Sequence, residues 1–303
     1  MRNQCFYNTK PKLLLLTLQY IENQTDKNND MKKAIFYLLL FFVIQTMVLI
    51  PVMLVHGLVN GGGFDAAQGQ VMVITAVLYS IALVVVFLKC KYWVPNLDFV
   101  RSKPFRAIAI VALFTIPYVI VEQGFISLLP EEWVKDDLGE MFESMADNPF
   151  CIFALGFFVP IAEEVLFRGA ILKALMQWDR INTWQAIIIS ALFFSLAHMN
   201  PAQIPGAFAS GLLLGWMFYR TGSILLGCVL HVINNSFAYF LMLAFPELDD
   251  DAKMIDFFNG DATLMCSTIA VSAVVLVAGI YLLNKEFGNK LKSEDVEMQS
   301  YIK

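Results

Sequence analysis

Apolar residues come along this chain in long runs, divided by short polar stretches, with neither the period-two alternation of exposed strands nor a steady amphipathic stripe. Crossing the hydrocarbon core of a bilayer as a helix takes about 20 apolar residues. Eight segments meet or approach that length: 34–56, 70–88, 106–128, 150–174, 182–199, 203–219, 223–245 and 262–284. The fifth and sixth are short and separated only by Met199-Asn200-Pro201-Ala202. The pattern predicts an all-α protein, a polytopic bundle of about eight transmembrane helices.

The polar stretches give an orientation, because loops facing the cytoplasm collect Lys and Arg. Lys32 and Lys33 precede the first segment, and Lys89, Lys91, Arg101, Lys103 and Arg106 cluster between the second and third. Arg180 and Arg220 follow the fourth and sixth, and Lys285, Lys290 and Lys292 follow the eighth. The intervening loops hold Gly61-Gly62-Gly63, then Glu131, Glu132, Asp136, Asp137, Glu140 and Glu143, then Asp249-Asp250-Asp251. Every basic cluster falls on one side, which places both termini in the cytoplasm.

Residues 1–30 are read as a polar N-terminal extension, since Met31-Lys32-Lys33 before an apolar run has the form of a membrane-protein start. Translation can then begin at Met1 or Met31. The run from Ala34 is too long for a cleaved signal and is read as an anchor. Residues 31–289 form the integral membrane domain, with its motifs within 150–243, and 290–303 a flexible cytoplasmic tail. The sequence contains no internal repeat.

Composition agrees. Of the 303 residues 58% are hydrophobic and 16% charged, with a mean hydropathy of +0.63, against roughly 45–50% and about 25% in soluble domains. A net charge of −5 argues against a nucleic-acid partner. Cys5, Cys90, Cys151, Cys228 and Cys266 lie far apart without CxxC spacing, as expected of packing residues rather than of a disulfide framework or thiolate metal site.

Ionisable residues inside membrane segments are costly and default to functional candidates. Here they form three groups: Glu163-Glu164-Val165-Leu166-Phe167-Arg168 in the fourth segment, Phe194 to His198 ending the fifth, and His231 to Asn235 in the seventh. Glu164 and Arg168, at i and i+4, share a helix face and can pair. Glu163 projects about 100° away and is left without that partner, and an unpaired buried carboxylate suits a general base near neutral pH. Pro160, one turn earlier, is expected to kink the helix. His231 and Asn235 also share a face, from which they can support a metal or hold an oxyanion. His56, alone before the Gly-rich loop, is not a site candidate.

Taken in order, Glu-Glu-x-x-x-Arg, Phe-x-x-x-His and His-x-x-x-Asn resemble the signature of the CAAX-protease and bacteriocin-processing family. That family includes type II prenyl-protein endopeptidases and abortive-infection-like proteins. The resemblance covers about residues 150–243 and fills every motif position. It implies that Glu163, with His198, activates water, and that His231 and Asn235 stabilise the oxyanion. Glu164 and Arg168 fall on supporting positions, and Phe194 on one that fixes His198.

Two mechanisms stay open. Glu163, His198 and His231 make a plausible zinc set, with water in the fourth position and Glu164 as base; otherwise Glu163 acts as a metal-free general base. The resemblance leans toward the second. In straight helices His198 lies near the outer end of its segment and Glu163 nearer the cytoplasmic half of its own, so their meeting demands tilt or a broken helix.

The expected function is an intramembrane endopeptidase in a bacterial inner membrane. Its partners would be the bilayer and a membrane-associated protein or peptide, by analogy one with a lipidated CAAX-type C-terminus. The alternatives are a non-proteolytic scaffold or bacteriocin-immunity-type protein, and a coupled transporter, which the lack of internal repeats disfavours.

Overall fold

The structure, a computed structural model, describes residues 30–60, 69–130, 133–134, 141, 144–145, 148–245 and 253–294, without the side chains of 60 and 289–294. The expected extension at 1–30 thus lies almost wholly outside the described residues, as do Glu131, Glu132, Asp136, Asp137, Glu140, Glu143, Asp249-Asp250-Asp251 and Gly61-Gly62-Gly63. Of the expected tail, the part beyond 294 lies outside them.

All eight apolar segments are helical, and the described residues contain no strand. They are α1 (Asp30–Asn60), α2 (Gly69–Lys89), α3 (Phe105–Ile126), α4 (151–176), α5 (Thr183–Ala197), α6 (Ile204–Thr221), α7 (Leu225–Ala244) and α8 (Ala262–Glu294). Five of them, α1, α2, α3, α7 and α8, are long and apolar enough to cross a membrane. Large apolar side chains stand exposed on these helices, such as Leu39, Met47, Leu113 and Val274. In water such a surface would be costly; in lipid it is the solvated one.

α4 differs from the sequence expectation of one regular helix. Two wide π-helical turns, Ala154–Phe158 and Val165–Leu172, flank the regular piece Val159–Glu164. Such turns bond residue i to i+5 and mark sites where a helix is re-aimed. Pro160 explains the first: it has no N–H to give to the preceding turn. From Glu164 to Leu172 every residue is buried, so α4 is central, with α1 and α2 on one side and α5 and α7 on others.

The helices form two packed clusters. One gathers Tyr37, Phe41, Phe87, Leu166, Phe167 and Ile187 around α1, α2, α4 and α5. The other gathers Val111, Phe114, Met217, Leu226, Leu230 and Phe287 around α3, α6, α7 and α8. The short helix α5 opens with a capping box: Gln185 N–H donates to Asn182 Oδ1 at 3.0 Å, and Asn182 N–H donates to Gln185 Oε1 at 2.8 Å.

α5 lies against α6 because Gly211 and Gly215, four apart on one face, let the backbones approach. A Cβ on Gly211 would stand 2.8 Å from the Cβ of Ala191, and one on Gly215 2.9 Å from Ile187. This is the small-residue packing that serves helices in lipid.

Candidate active site

Three helices bring the three polar groups together. The i, i+4 pair expected on α4 is formed: Arg168 Nη1 donates to Glu164 Oε1 at 2.7 Å, with both side chains buried. His231 of α7 reaches across to the same oxygen, its Nδ1 3.2 Å from Glu164 Oε1. Its other nitrogen, Nε2, stands 3.5 Å from Glu163 Oε2. His231 therefore lies between the two adjacent carboxylates.

Those carboxylates have different surroundings. The Glu164 side chain is 0% exposed and that of Glu163 13%. Glu164 carries two donors on Oε1 and meets a charge of opposite sign, so its own charge is held by the protein. Its Oε2 lies against α7 at Gly227, where a Cβ would come within 2.5 Å of it. Among the described residues Glu163 has only His231 as an ionic partner, and it is the carboxylate that the surroundings can reach.

Arg168 also ties α4 to α5 and α6. Its guanidinium carbon lies 4.4 Å from the centre of the Phe194 ring, and Nη2 approaches the Gly211 carbonyl at 3.5 Å. Phe194 is a hub. Its ring packs edge-to-face with those of Phe167, His198 and His231, with ring centres 5.1, 4.9 and 5.6 Å away. Ser190 adds a tether, donating to the Phe167 carbonyl at 3.1 Å.

His198 caps the C-terminal end of α5, with Nδ1 2.8 Å from the Phe194 carbonyl. A carbonyl only accepts, so Nδ1 carries the proton and Nε2 is left as an acceptor. His198 makes no hydrogen bond or ion pair with Glu163; the two are gathered on either side of the Phe194–His231 contact. The mismatch of depth expected from straight helices is removed by chain geometry. α4 ends and α5 begins at the same face, and by helix rise Glu163 and His198 each stand roughly 20 Å from it.

Asn235 has a partner the sequence did not indicate. Its Nδ2 donates to the Leu155 carbonyl of α4 at 3.1 Å, and Asn234 Nδ2 donates to Asn235 Oδ1 at 3.1 Å, fixing the amide's orientation. In a turn bonded i to i+5, the N–H of residue 160 would serve that carbonyl, and Pro160 has none. Asn235 supplies the missing donor and keeps its second amide hydrogen.

The zinc set Glu163, His198 and His231 does not assemble. His198 is turned toward Phe194, and among the described residues no three His, Cys, Asp or Glu side chains converge as metal ligands. Sequence reasoning missed Gly227, Gly211 and Ser190. Gly227 precedes His231 by four residues and so shares its face, and Gly211 to Gly215 has a recognisable small-residue spacing; Ser190 had no such signal.

A multi-pass helical membrane protein with facing Glu and His side chains in its core is the class these observations define. Residues 146–237 match the family described as Rce1-like, type II CAAX prenyl endopeptidase Rce1-like, and so carry the segment that the motifs resemble. The chain is 30% identical over 103 residues to the membrane-embedded CAAX protease MroQ of Staphylococcus aureus (strain USA300), covering 33% of this chain and 42% of that protein. It is 23% identical over 225 residues to the putative membrane peptidase YdiL of Bacillus subtilis (strain 168), covering 70% of this chain and 91% of that protein. Less than half of MroQ's length is thus spanned. No solved structure matches the chain.

Proposed function

We propose that the protein is an intramembrane endopeptidase that hydrolyses a peptide bond of a membrane-associated substrate with water activated by Glu163. The observation that carries this reading is the unequal pair of adjacent carboxylates: Glu164 is neutralised by Arg168, while Glu163 has, among the described residues, His231 alone as an ionic partner, at 3.5 Å.

In this reading Glu163 takes the proton of the attacking water, and His198 Nε2, an acceptor by its tautomer, orients that water. With Nδ1 of His231 donating to Glu164, the proton that Glu163 takes from the water is shared with Nε2 of His231 and then passes to the leaving amine. The developing oxyanion is met by His231 and the second amide hydrogen of Asn235. Burial strengthens each of these interactions by excluding bulk water.

The substrate class follows from the relatives. The matched family's description names a prenyl endopeptidase and one relative is named a CAAX protease, which favours a protein with a lipidated CAAX-type C-terminus. Eight membrane passes within 31–289, with the basic loops and both termini in the cytoplasm, complete the topology. A bacterial inner membrane is supported by two bacterial relatives.

Terminal-peptide profiling of membranes that hold wild type or Glu163→Ala at matched levels tests the reading. New termini present only with wild type are expected. Identical termini, with both proteins folded, would favour a scaffold.

A further inference from the structure

Away from the carboxylates, a pocket of about 220 Å³ is lined by Lys33, Tyr37, Lys91, Tyr92, Lys173 and Gln177, with three small or apolar neighbours. Its lysines come from three parts of the chain: the first turn of α1, the turn after α2, and the last turn of α4. By helix rise Lys173 is roughly 15 Å along α4 from Glu163, so this is a separate place.

Like charges that converge on one concavity repel, and packing alone gives no reason to gather them. One carboxylate answers part of the charge: Asp30 Oδ1 meets Lys33 Nζ at 2.9 Å. Lys91 and Lys173 have no carboxylate partner among the described residues, which leaves an excess of two positive charges.

The pocket is also rigid. Tyr37 and Tyr92 have ring centres 5.0 Å apart and both pack on Phe87, at 5.7 and 5.5 Å. Lys91 is held at a φ of 58°, a conformation unfavourable for a residue with a Cβ. The turn that imposes it is pinned by the N–H groups of Tyr92 and Trp93, which both donate to the Phe87 carbonyl. Trp93 in turn lies against α4 at Gly169, where a Cβ would be 2.5 Å from the indole. The backbone of Lys91 is thus fixed at the pocket rim, and its exposed side chain lines the same concavity as Lys173 beside an aromatic wall.

We propose that this pocket binds a phosphate group, with Lys91 and Lys173 as its charge partners and the Gln177 amide as a neutral donor. It lies on the basic side of the bundle, where the phosphate can belong to an acidic phospholipid headgroup or to a free phosphate ester. The full-length protein in detergent would be titrated with inorganic phosphate, and in phosphatidylcholine vesicles with added phosphatidylglycerol. Wild type would be compared with Lys91→Gln/Lys173→Gln and with Arg101→Gln/Lys103→Gln, which removes equal charge from exposed positions on the same side.

Binding by wild type is expected to weaken by about tenfold or more in the first variant and to stay within about twofold in the second. Lys91→Arg/Lys173→Arg keeps the charge and should retain binding, which separates loss of charge from loss of fold. A response to phosphatidylglycerol alone assigns the phosphate to a lipid headgroup; a response to inorganic phosphate assigns it to a soluble ester. Equal losses in both glutamine variants, or no response of wild type to either probe, would overturn the proposal.

Discussion

Nε2 of His231 stands 3.5 Å from Oε2 of Glu163, while the opposite nitrogen of the same ring stands 3.2 Å from Glu164. One histidine thus connects a carboxylate whose charge is already matched to one that depends on it. The division of labour between two neighbouring glutamates follows from that bridge and from Arg168.

Glu163→Gln and Glu164→Gln should therefore fail in different ways. The first keeps the shape of the side chain and leaves the Arg168 pair intact, so the melting temperature in detergent should move by little while cleavage falls by about 10²–10⁴-fold. The second leaves Arg168 charged and buried without its partner, at a cost of about 3–5 kcal/mol. Its melting curve should shift strongly downward, and cleavage should be lost with the fold. Equal melting temperatures for both variants would contradict the assignment.

Gly227→Ala places a methyl group 2.5 Å from Glu164 Oε2, closer than contact allows. The carboxylate cannot retreat without breaking its bond to Arg168, so a loss of about 1–3 kcal/mol is expected. Gly288→Ala serves as the comparison, because a Cβ there meets nothing within 4 Å. That change should be neutral or slightly stabilising by helix propensity. Melting of the two variants in one detergent checks the pair.

For Asn235 a double-mutant cycle with Pro160 separates positioning from chemistry. Asn235→Ala orphans the Leu155 carbonyl and should cost about 1–3 kcal/mol. Pro160→Ala restores a backbone N–H to that turn, so the stability cost of Asn235→Ala should shrink in its presence. The cleavage rate should not recover, since the amide hydrogen aimed at the oxyanion is still missing. Recovery of both would make Asn235 a structural residue only.

Replacing Phe194 by Leu removes the ring that His198, His231 and Arg168 all contact. Some of the volume is kept, so the protein should fold with a loss of about 1–2 kcal/mol. The larger effect should be on turnover, because both histidines lose the surface that sets their angle. Turnover falling less than the stability change accounts for would argue against Phe194 as a positioning residue.

Much of this was legible in the residues themselves. The apolar runs located all eight helices to within a few residues, apart from α1 and α8, which extend beyond them. The spacing of Glu164 to Arg168 gave their pairing, because i and i+4 are neighbours on any regular helix. What stayed hidden depends on contacts between helices. The wide turns in α4 arise from Pro160 together with a donor 75 residues later, and no local pattern encodes that meeting. The approach of His231 to both glutamates depends on Gly227, whose importance appears only once the Glu164 carboxylate is placed against it. The length of α5 mattered too. At 15 residues it rises only about 22 Å, short of the roughly 30 Å hydrocarbon core, which brings His198 to the depth of Glu163.

The central claim is that Glu163 activates water to break a peptide bond. The most direct measurement runs terminal-peptide profiling in heavy-oxygen water, with membranes containing wild type or Glu163→Gln at equal folded levels. The account predicts new C-termini that carry one heavy oxygen with wild type and are absent with Glu163→Gln. The same labelled termini in both membranes would contradict it.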